Sequence, residues 1–296
     1  MIKSVYKPLF TLFLVFYALC SFAQSDPAVN SSKRDEQKPS LKFGVNYLNN
    51  SVFMGRSDTA RTPVITPGIR YTFKSGIYVA GSLDYLLNSK NAKLTSGDLA
   101  AGYDFDLTDN LDGAISFTKS FYNPKSTQIA SSQSATINAS FNYDLNDIIT
   151  PSISADYGFN KQGFKNDIFL SAGISHAFML ADLFNIKDQL TISPTVILNT
   201  GTQNFYDSYL VNKKLKNTAK NTAQSKLTAI QKQDLEKFRL LDYEFSIPVE
   251  YKLNHFIFTL TPTYSRAQNK LPGNISSGLS DKTNLFNLET GIALKF

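Results

Sequence analysis

The chain has 296 residues, with 30 Lys or Arg against 24 Asp or Glu and a formal net charge of +6. That excess is too small for a nucleic-acid partner, and mean hydropathy is −0.18. Beyond the first 23 residues no apolar run approaches the roughly 18 residues of a membrane helix, which leaves a soluble all-β protein or a membrane barrel.

The N-terminus has the form of a secretory leader. Lys3 and Lys7 supply the positive end, an apolar stretch runs over 9–20, and Ser21-Phe22-Ala23 gives a small-residue cleavage site before Gln24. Cys20 invites a lipoprotein signal, but the bulky Leu19 before it argues against one. Removing 1–23 takes away the single cysteine and leaves a net charge of +4. Residues 24–40 are polar and contain Pro27 and Pro39, which suits a flexible periplasmic lead-in.

From residue 41 onward, period-two alternation recurs between turn residues. It predicts strands near 41–53, 63–73, 77–88, 93–106, 111–122, 130–144, 148–160, 166–179, 189–201, 240–253, 255–267 and 284–296. The fold class expected is all-β: a transmembrane antiparallel up-and-down barrel of about twelve strands over 41–296. Links at one end are short (74–76, 107–110, 146–147, 181–188 and 254), and links at the other are long (54–62, 160–165, 202–239 and 269–283). A brief hairpin near 123–125 and a longer turn at 181–188 break the pattern. Sorting loops by length between two ends is a property of outer-membrane barrels.

One face of these strands collects Ile65, Ile69, Tyr71, Ile137, Phe141, Phe245 and Phe258. The other collects Ser82, Thr136, Asn138, Ser154, Thr195 and Thr261. A lipocalin-type barrel would bury the first face; a membrane barrel turns it to lipid. The chain's end decides for lipid. Phe286, Leu288, Ile292, Leu294 and Phe296 share one face of a strand that stops on a ring, as in strands read by barrel-assembly machinery. Leu288, Ile292, Leu294 and Phe296 are therefore the candidate assembly signal. With Trp absent, any aromatic girdle must be Tyr and Phe.

The lumen candidates follow from the same parity. Asp84, Asp98, Asp104, Asp112, Asp156, Asp242, Glu244, Glu250 and Glu289 point inward, against Lys42, Arg70, Lys252 and Lys295. Such an acidic excess gives a water-filled channel weak cation preference, whereas an internal salt-bridge network would close it. The link 202–239 carries eight Lys or Arg and three Asp or Glu from 207 onward. Leu227, Ile230, Leu235 and Phe238 there fall near helical spacing, which fits a helical lid, a basic patch against lipopolysaccharide heads, or a solvated loop.

Catalytic constellations are sparse. The histidines are His176 and His255, and neither has a nucleophile or base in phase with it. Asp104, Asp106, Asp109 and Asp112 lack the Gly and Glu of a calcium loop. Asp242 and Glu244 form a carboxylate pair on one face, expected to pair with a neighbouring cation. No catalytic residue, metal or cofactor is expected.

Between 67 and 126 the chain resembles the TorF-like porin family, small Gram-negative outer-membrane barrels. The residues that carry this are Gly68-Ile69-Arg70-Tyr71, Ser75-Gly76-Ile77-Tyr78-Val79-Ala80-Gly81-Ser82-Leu83-Asp84, Asp98-Leu99-Ala100-Ala101-Gly102-Tyr103 and Tyr122-Asn123-Pro124. The chain departs from the family in lacking Trp and in its long basic link. The resemblance implies a pore without catalytic residues. The expectation is a passive channel for small hydrophilic solutes, with outer-membrane lipids, lipopolysaccharide and the assembly machinery as partners and no nucleic acid. The alternatives are a closed barrel with a structural or surface-binding role, and a barrel enzyme acting on envelope lipids.

Overall fold

The computed structural model describes residues 38–57, 62–87, 93–123, 126, 128–161, 164–210, 227–268 and 282–296. The leader and nearly all of 24–40 lie outside them. In chain order the strands are β1 (Ser40–Leu48), a short hairpin of β2 (Val52–Phe53) and β3 (Arg56–Ser57), β4 (Val64–Thr72), β5 (Ile77–Leu86), β6 (Lys93–Thr108) and β7 (Leu111–Tyr122). There follow β8 (Gln133–Tyr143), β9 (Thr150–Asn160), β10 (Asp167–Ser175), β11 (Phe178–Ala181), β12 (Asp188–Ile192), β13 (Thr195–Gly201), β14 (Arg239–Ser246), β15 (Val249–Leu253), β16 (Phe256–Ala267) and β17 (Asn284–Lys295).

These strands form a closed 12-strand antiparallel barrel, in which β10 with β11, β12 with β13, and β14 with β15 each make one stave. Closure joins the two ends of the chain. β1 pairs with β4 on one side and β17 on the other, and Lys42 stands opposite both Arg70 and Lys295. At the seam the terminal Phe296 and Leu41 exchange two backbone hydrogen bonds of 2.9 Å. The Phe296 ring lies 6.5 Å from Phe43 and 5.3 Å from His255. Leu288, Ile292, Leu294 and Phe296 thus line the seam's outer surface.

Burial is inverted relative to a water-soluble protein. Leu99, Ile153 and Phe286 are 58%, 61% and 61% exposed, while Asp242, Ser265 and Thr150 are buried. A barrel with its apolar side outward satisfies every strand amide internally and leaves only hydrocarbon-compatible groups on the surface. No helix among the described residues is long and apolar enough to cross a membrane.

The start of β1, the end of β17 and the short turns gather at one end. Gly76 closes the β4–β5 turn at φ +88°, and a Cβ there would sit 2.2 Å from the Asp104 carbonyl oxygen. At the same end the turn 182–187 is held by one side chain. The Asp188 carboxylate accepts from the amides of Leu183, Phe184 and Asn185 and from the Tyr251 hydroxyl, at 2.8–3.0 Å.

Three expectations need correction. The alternation over 41–53 is not one strand: β1 stops at Leu48 because Asn49 and Asn50 turn their side chains to backbone amides, Asn49 accepting from Leu288 and Asn50 from Thr62. The link after β7 is not a brief hairpin, since β8 begins only at Gln133 after a 3₁₀ turn, Ile129–Ser132, and Pro124 and Lys125 lie outside the described residues. This longer link removes one exception to the loop sorting.

The third correction concerns the staves 166–179, 189–201 and 240–253, which are interrupted side by side. Pro194 and Pro248 have no amide to give the ladder. Their carbonyls still serve: Ser193 donates to Pro248 at 2.8 Å, His176 to Pro194 at 3.3 Å, and Ile247 to Pro262 at 3.1 Å.

The barrel should fold in detergent micelles or bilayers and not in plain buffer. Heat-modifiable migration on denaturing gels with detergent, and none without it, is the expected result; folding in buffer alone would overturn the outward orientation of the apolar face.

Candidate functional site: a polar lumen and its closed mouth

Alternation places every lumen candidate on the inner wall. Most carboxylates are tied across strands to neutral donors. Asp84 accepts from Thr66 at 2.8 Å and Ser96 at 2.5 Å, Asp156 from Asn138 at 2.7 Å, and Asp112 from Asn142 at 2.9 Å. Asp98 takes a longer bond of 3.4 Å from Ser82. Asp242 accepts from Asn199 at 2.7 Å and Glu244 from Ser265 at 3.0 Å, so amide and hydroxyl donors hold this pair where a cation was expected. Glu289 stands opposite Leu48 and Thr261 on the same inner face.

The cations gather at the end with the short turns. Arg70 forms an ion pair with Asp104 and lies 3.6 Å over the Tyr78 ring. Lys252 reaches Glu250 on its own strand at 2.9 Å. Lys42 and Lys295, directly opposed, complete a basic wall over β15, β17, β1 and β4. The acidic excess read from the sequence is therefore unevenly spread, with the basic residues concentrated at the end with the short turns.

At the opposite end loop segments pack inside the mouth of the lumen. The hairpin β2–β3 turns inward, and a helical stretch over 205–210 descends beside it. Phe205 and Tyr206 are fully buried, and Tyr209 and Leu210 nearly so, packed with Ile129, Phe169, Leu241 and Leu235. Phe53 meets Phe205 edge-on at 5.0 Å and Phe169 at 6.0 Å. Burial pushes the Tyr206 phenol above its usual range, so it stays neutral. Gly55, at φ +71°, forms the hairpin tip, and a Cβ there would sit 2.6 Å from the Asp242 Cβ.

One carboxylate fastens this plug. Asp167, fully buried at the start of β10, accepts from Asn160 at 2.6 Å, from the Thr202 hydroxyl at 2.7 Å, and from the amides of Asn204 and Phe205 at 2.7 and 2.8 Å. It thereby satisfies amides that a helix start leaves open. Above it lies the short helix Ala229–Leu235, opened by a capping box between Thr228 and Gln231. Ion pairs Asp207–Lys232 and Lys165–Glu236, each 2.6 Å, strap that helix over the mouth. At its C-terminal end the Lys237 hydrogen bond, together with Arg239, holds the Asp234 carboxyl below its usual range.

The helical expectation for the link 202–239 is met over 229–235, while 211–226 lies outside the described residues. Leu227 and Leu235 face the plug, whereas Ile230 and Phe238 are 79% and 49% exposed. Sequence reasoning missed Asp167, although its phase with Ser171 places it inside. It also missed the apolar pairs 205–206 and 209–210, whose four-residue offset was a legible helical signal. Arg56, buried in the hairpin, adds a cation that strand parity cannot assign.

Both histidines sit at the end with the short turns. His176 points outward, its Nδ1 on the Ile148 carbonyl oxygen, while Ser175 points inward. His255 Nδ1 lies 2.9 Å from the Lys295 carbonyl oxygen.

No protein-family model matches the chain, and no curated protein does. Among solved structures it is similar to a KdgM porin, at TM-score 0.46 and 10% identity over 87% of this chain and 99% of that one. It is equally similar to LpxR from Salmonella typhimurium, at 0.46 and 10% over 86% and 99%. The translocator domain of autotransporter NalP from Neisseria meningitidis gives 0.45 and 11% over 91% and 90%. At these scores and identities none of the three assigns an activity to this chain.

Replacing Asp167 by Ala strands buried donors, with a local cost of about 3 kcal/mol. Limited proteolysis within 203–238 should then accelerate on the order of 100-fold while the barrel stays heat-modifiable. Unchanged cleavage would show that Asp167 does not tether the plug.

Proposed function

We propose that this chain is an outer-membrane channel for passive diffusion of small hydrophilic solutes, its outer mouth closed by its own loops at rest. The observation that carries the reading is the chemistry of the inner wall. Below the plug, strand after strand presents hydroxyls, amides and carboxylates, such as Thr66, Asp84, Asp98, Asn138, Asp156 and Ser171, where a packed apolar core would need aliphatic side chains. A wall of this kind is solvated by water. The leader, the lipid-compatible exterior and the resemblance to TorF-like porins support an outer-membrane location. In that setting the outward-facing Leu288, Ile292, Leu294 and Phe296 serve the assembly machinery.

The plug consists of loop segments and is no part of the sheet. Side-chain contacts fasten it, so it can move without breaking the ladder. Once it is displaced, Asp84, Asp98, Asp156, Asp242 and Glu244 line the path and raise the local cation concentration. The basic wall near Lys42 and Lys295 reduces that effect at the inner end, which keeps the preference weak. A closed barrel with a structural or surface-binding role is the second reading, and the buried Phe205–Tyr206 pair is the observation that favours it.

Planar-bilayer recording on the refolded chain tests this. Wild type should open rarely, and Asp167→Ala should open at least 10-fold more often. Under a potassium chloride gradient the reversal potential should lie on the cation side, and Asp84→Asn with Asp98→Asn should move it toward zero. Anion selectivity would refute the charge assignment. Silence of every plug-loosened variant would favour the closed barrel.

A further inference from the structure

At the end with the short turns the inner wall gathers its positive charge into a row. Lys42 on β1 stands directly opposite Arg70 on β4 and Lys295 on β17, so three cations share one level of three adjacent strands. All three point inward. On β1 the exposed, outward residues are the odd-numbered Val45 and Tyr47, and on β17 the even-numbered Phe286 and Ile292. Lys252 and Glu250 on β15 point inward as well, because Val249 and Tyr251 stand opposite the outward Leu260 and Phe258. The Lys295 ammonium interacts electrostatically with Lys42, Arg70 and Lys252, and with Glu250.

Neighbouring strands run about 4.8 Å apart, and like charges directly opposite on one face weaken a sheet. Closing the barrel does not call for them. The seam is fastened by main-chain groups, whatever side chains stand at 42 and 295. Leu41 and Phe296 exchange their amide bonds, and the Lys295 amide donates to the His255 carbonyl oxygen at 2.8 Å. The fold supplies two carboxylates in ion pairs, Asp104 to Arg70 and Glu250 to Lys252. Four cations against these two acids leave the patch at +2. The next inward acids at this end, Asp106 and Asp112, stand on β6 and β7, two and three strands beyond Arg70. Water reaches the row, since Lys295 is exposed and the Lys252 side chain is 38% exposed. A solute arriving from the short-turn end meets it without passing the plug.

We infer that this row binds small solutes carrying two or more negative charges, as carboxylates or phosphates, through Lys42, Lys295, Lys252 and Arg70. The site rests on the water-filled lumen proposed above and names a solute class for it. Monovalent ions sample the whole wall, whose charge is acidic. A di- or trianion needs several cations at once, and the row presents them on adjacent strands.

Isothermal titration calorimetry on the refolded mature chain, in non-ionic detergent at low salt, tests the site with citrate, pyrophosphate and uncharged glycerol. Wild type should bind at least one of the two anions and not glycerol, and added sodium chloride should weaken that binding. Which anion binds tells carboxylate from phosphate recognition. Lys42→Gln with Lys295→Gln should weaken binding on the order of 10-fold, while Lys42→Arg with Lys295→Arg should keep it. Glu250→Gln, which removes an acid from the patch, should tighten it. Heat-modifiable migration certifies that each variant is folded. Binding of neither anion by folded wild type, or equal affinity in wild type and the double Gln variant, would overturn the site. Conductance without anion binding would sink the site alone. Anion binding by a chain whose plug-loosened variants stay silent would sink passive diffusion and leave the site standing, so the two failures are distinguishable.

Discussion

The structure depends on one constraint: in hydrocarbon, backbone amides and carbonyls have only each other as partners. Any sheet with a free edge would expose a row of them, so the first and last strands must meet. β1 and β17 do so along seven matched pairs, finished by the reciprocal bonds of Leu41 and Phe296. The same constraint explains how the barrel tolerates Pro194 and Pro248. Each lacks an amide donor where the staves break, and its carbonyl still accepts from the neighbouring stave. The amphipathic last strand is thus a structural necessity.

Closing the sheet creates an interior, and two different chemistries occupy it. Along the wall, carboxylates are held by hydroxyls and amides of adjacent strands, which fixes their positions without cancelling their charge. At the mouth, aromatic rings pack into a buried apolar cluster. Asp167 joins the two regimes, being a wall residue by phase and an anchor for the loop by its four hydrogen bonds. The plug is held to the staves by such side-chain bonds, and β2 and β3 form a sheet separate from the barrel's.

The outside is also less uniform than a lipid-facing surface need be. Lys119 and Arg266, each near an aromatic ring, place positive charge only toward the outer end. The inner half presents rings and aliphatic chains.

Much of this was determined by the chain locally. Side chains alternate with a period of two whatever the register, so the twelve staves, the inward set Asp84, Asp98, Asp156, Asp242 and Glu244, and the outward terminal residues follow from neighbours in sequence. Loop length likewise sorts the two ends. Tertiary structure alone decided the closed mouth. The amides of Asn204 and Phe205 find Asp167 from 37 and 38 residues away, and the Gly55 tip meets Asp242 from across the lumen. Residues 52–57 and 205–210 carry no strand period to announce their destination. They fold inward because a ring of staves leaves a cavity there, and apolar side chains exposed at the outer rim gain by filling it.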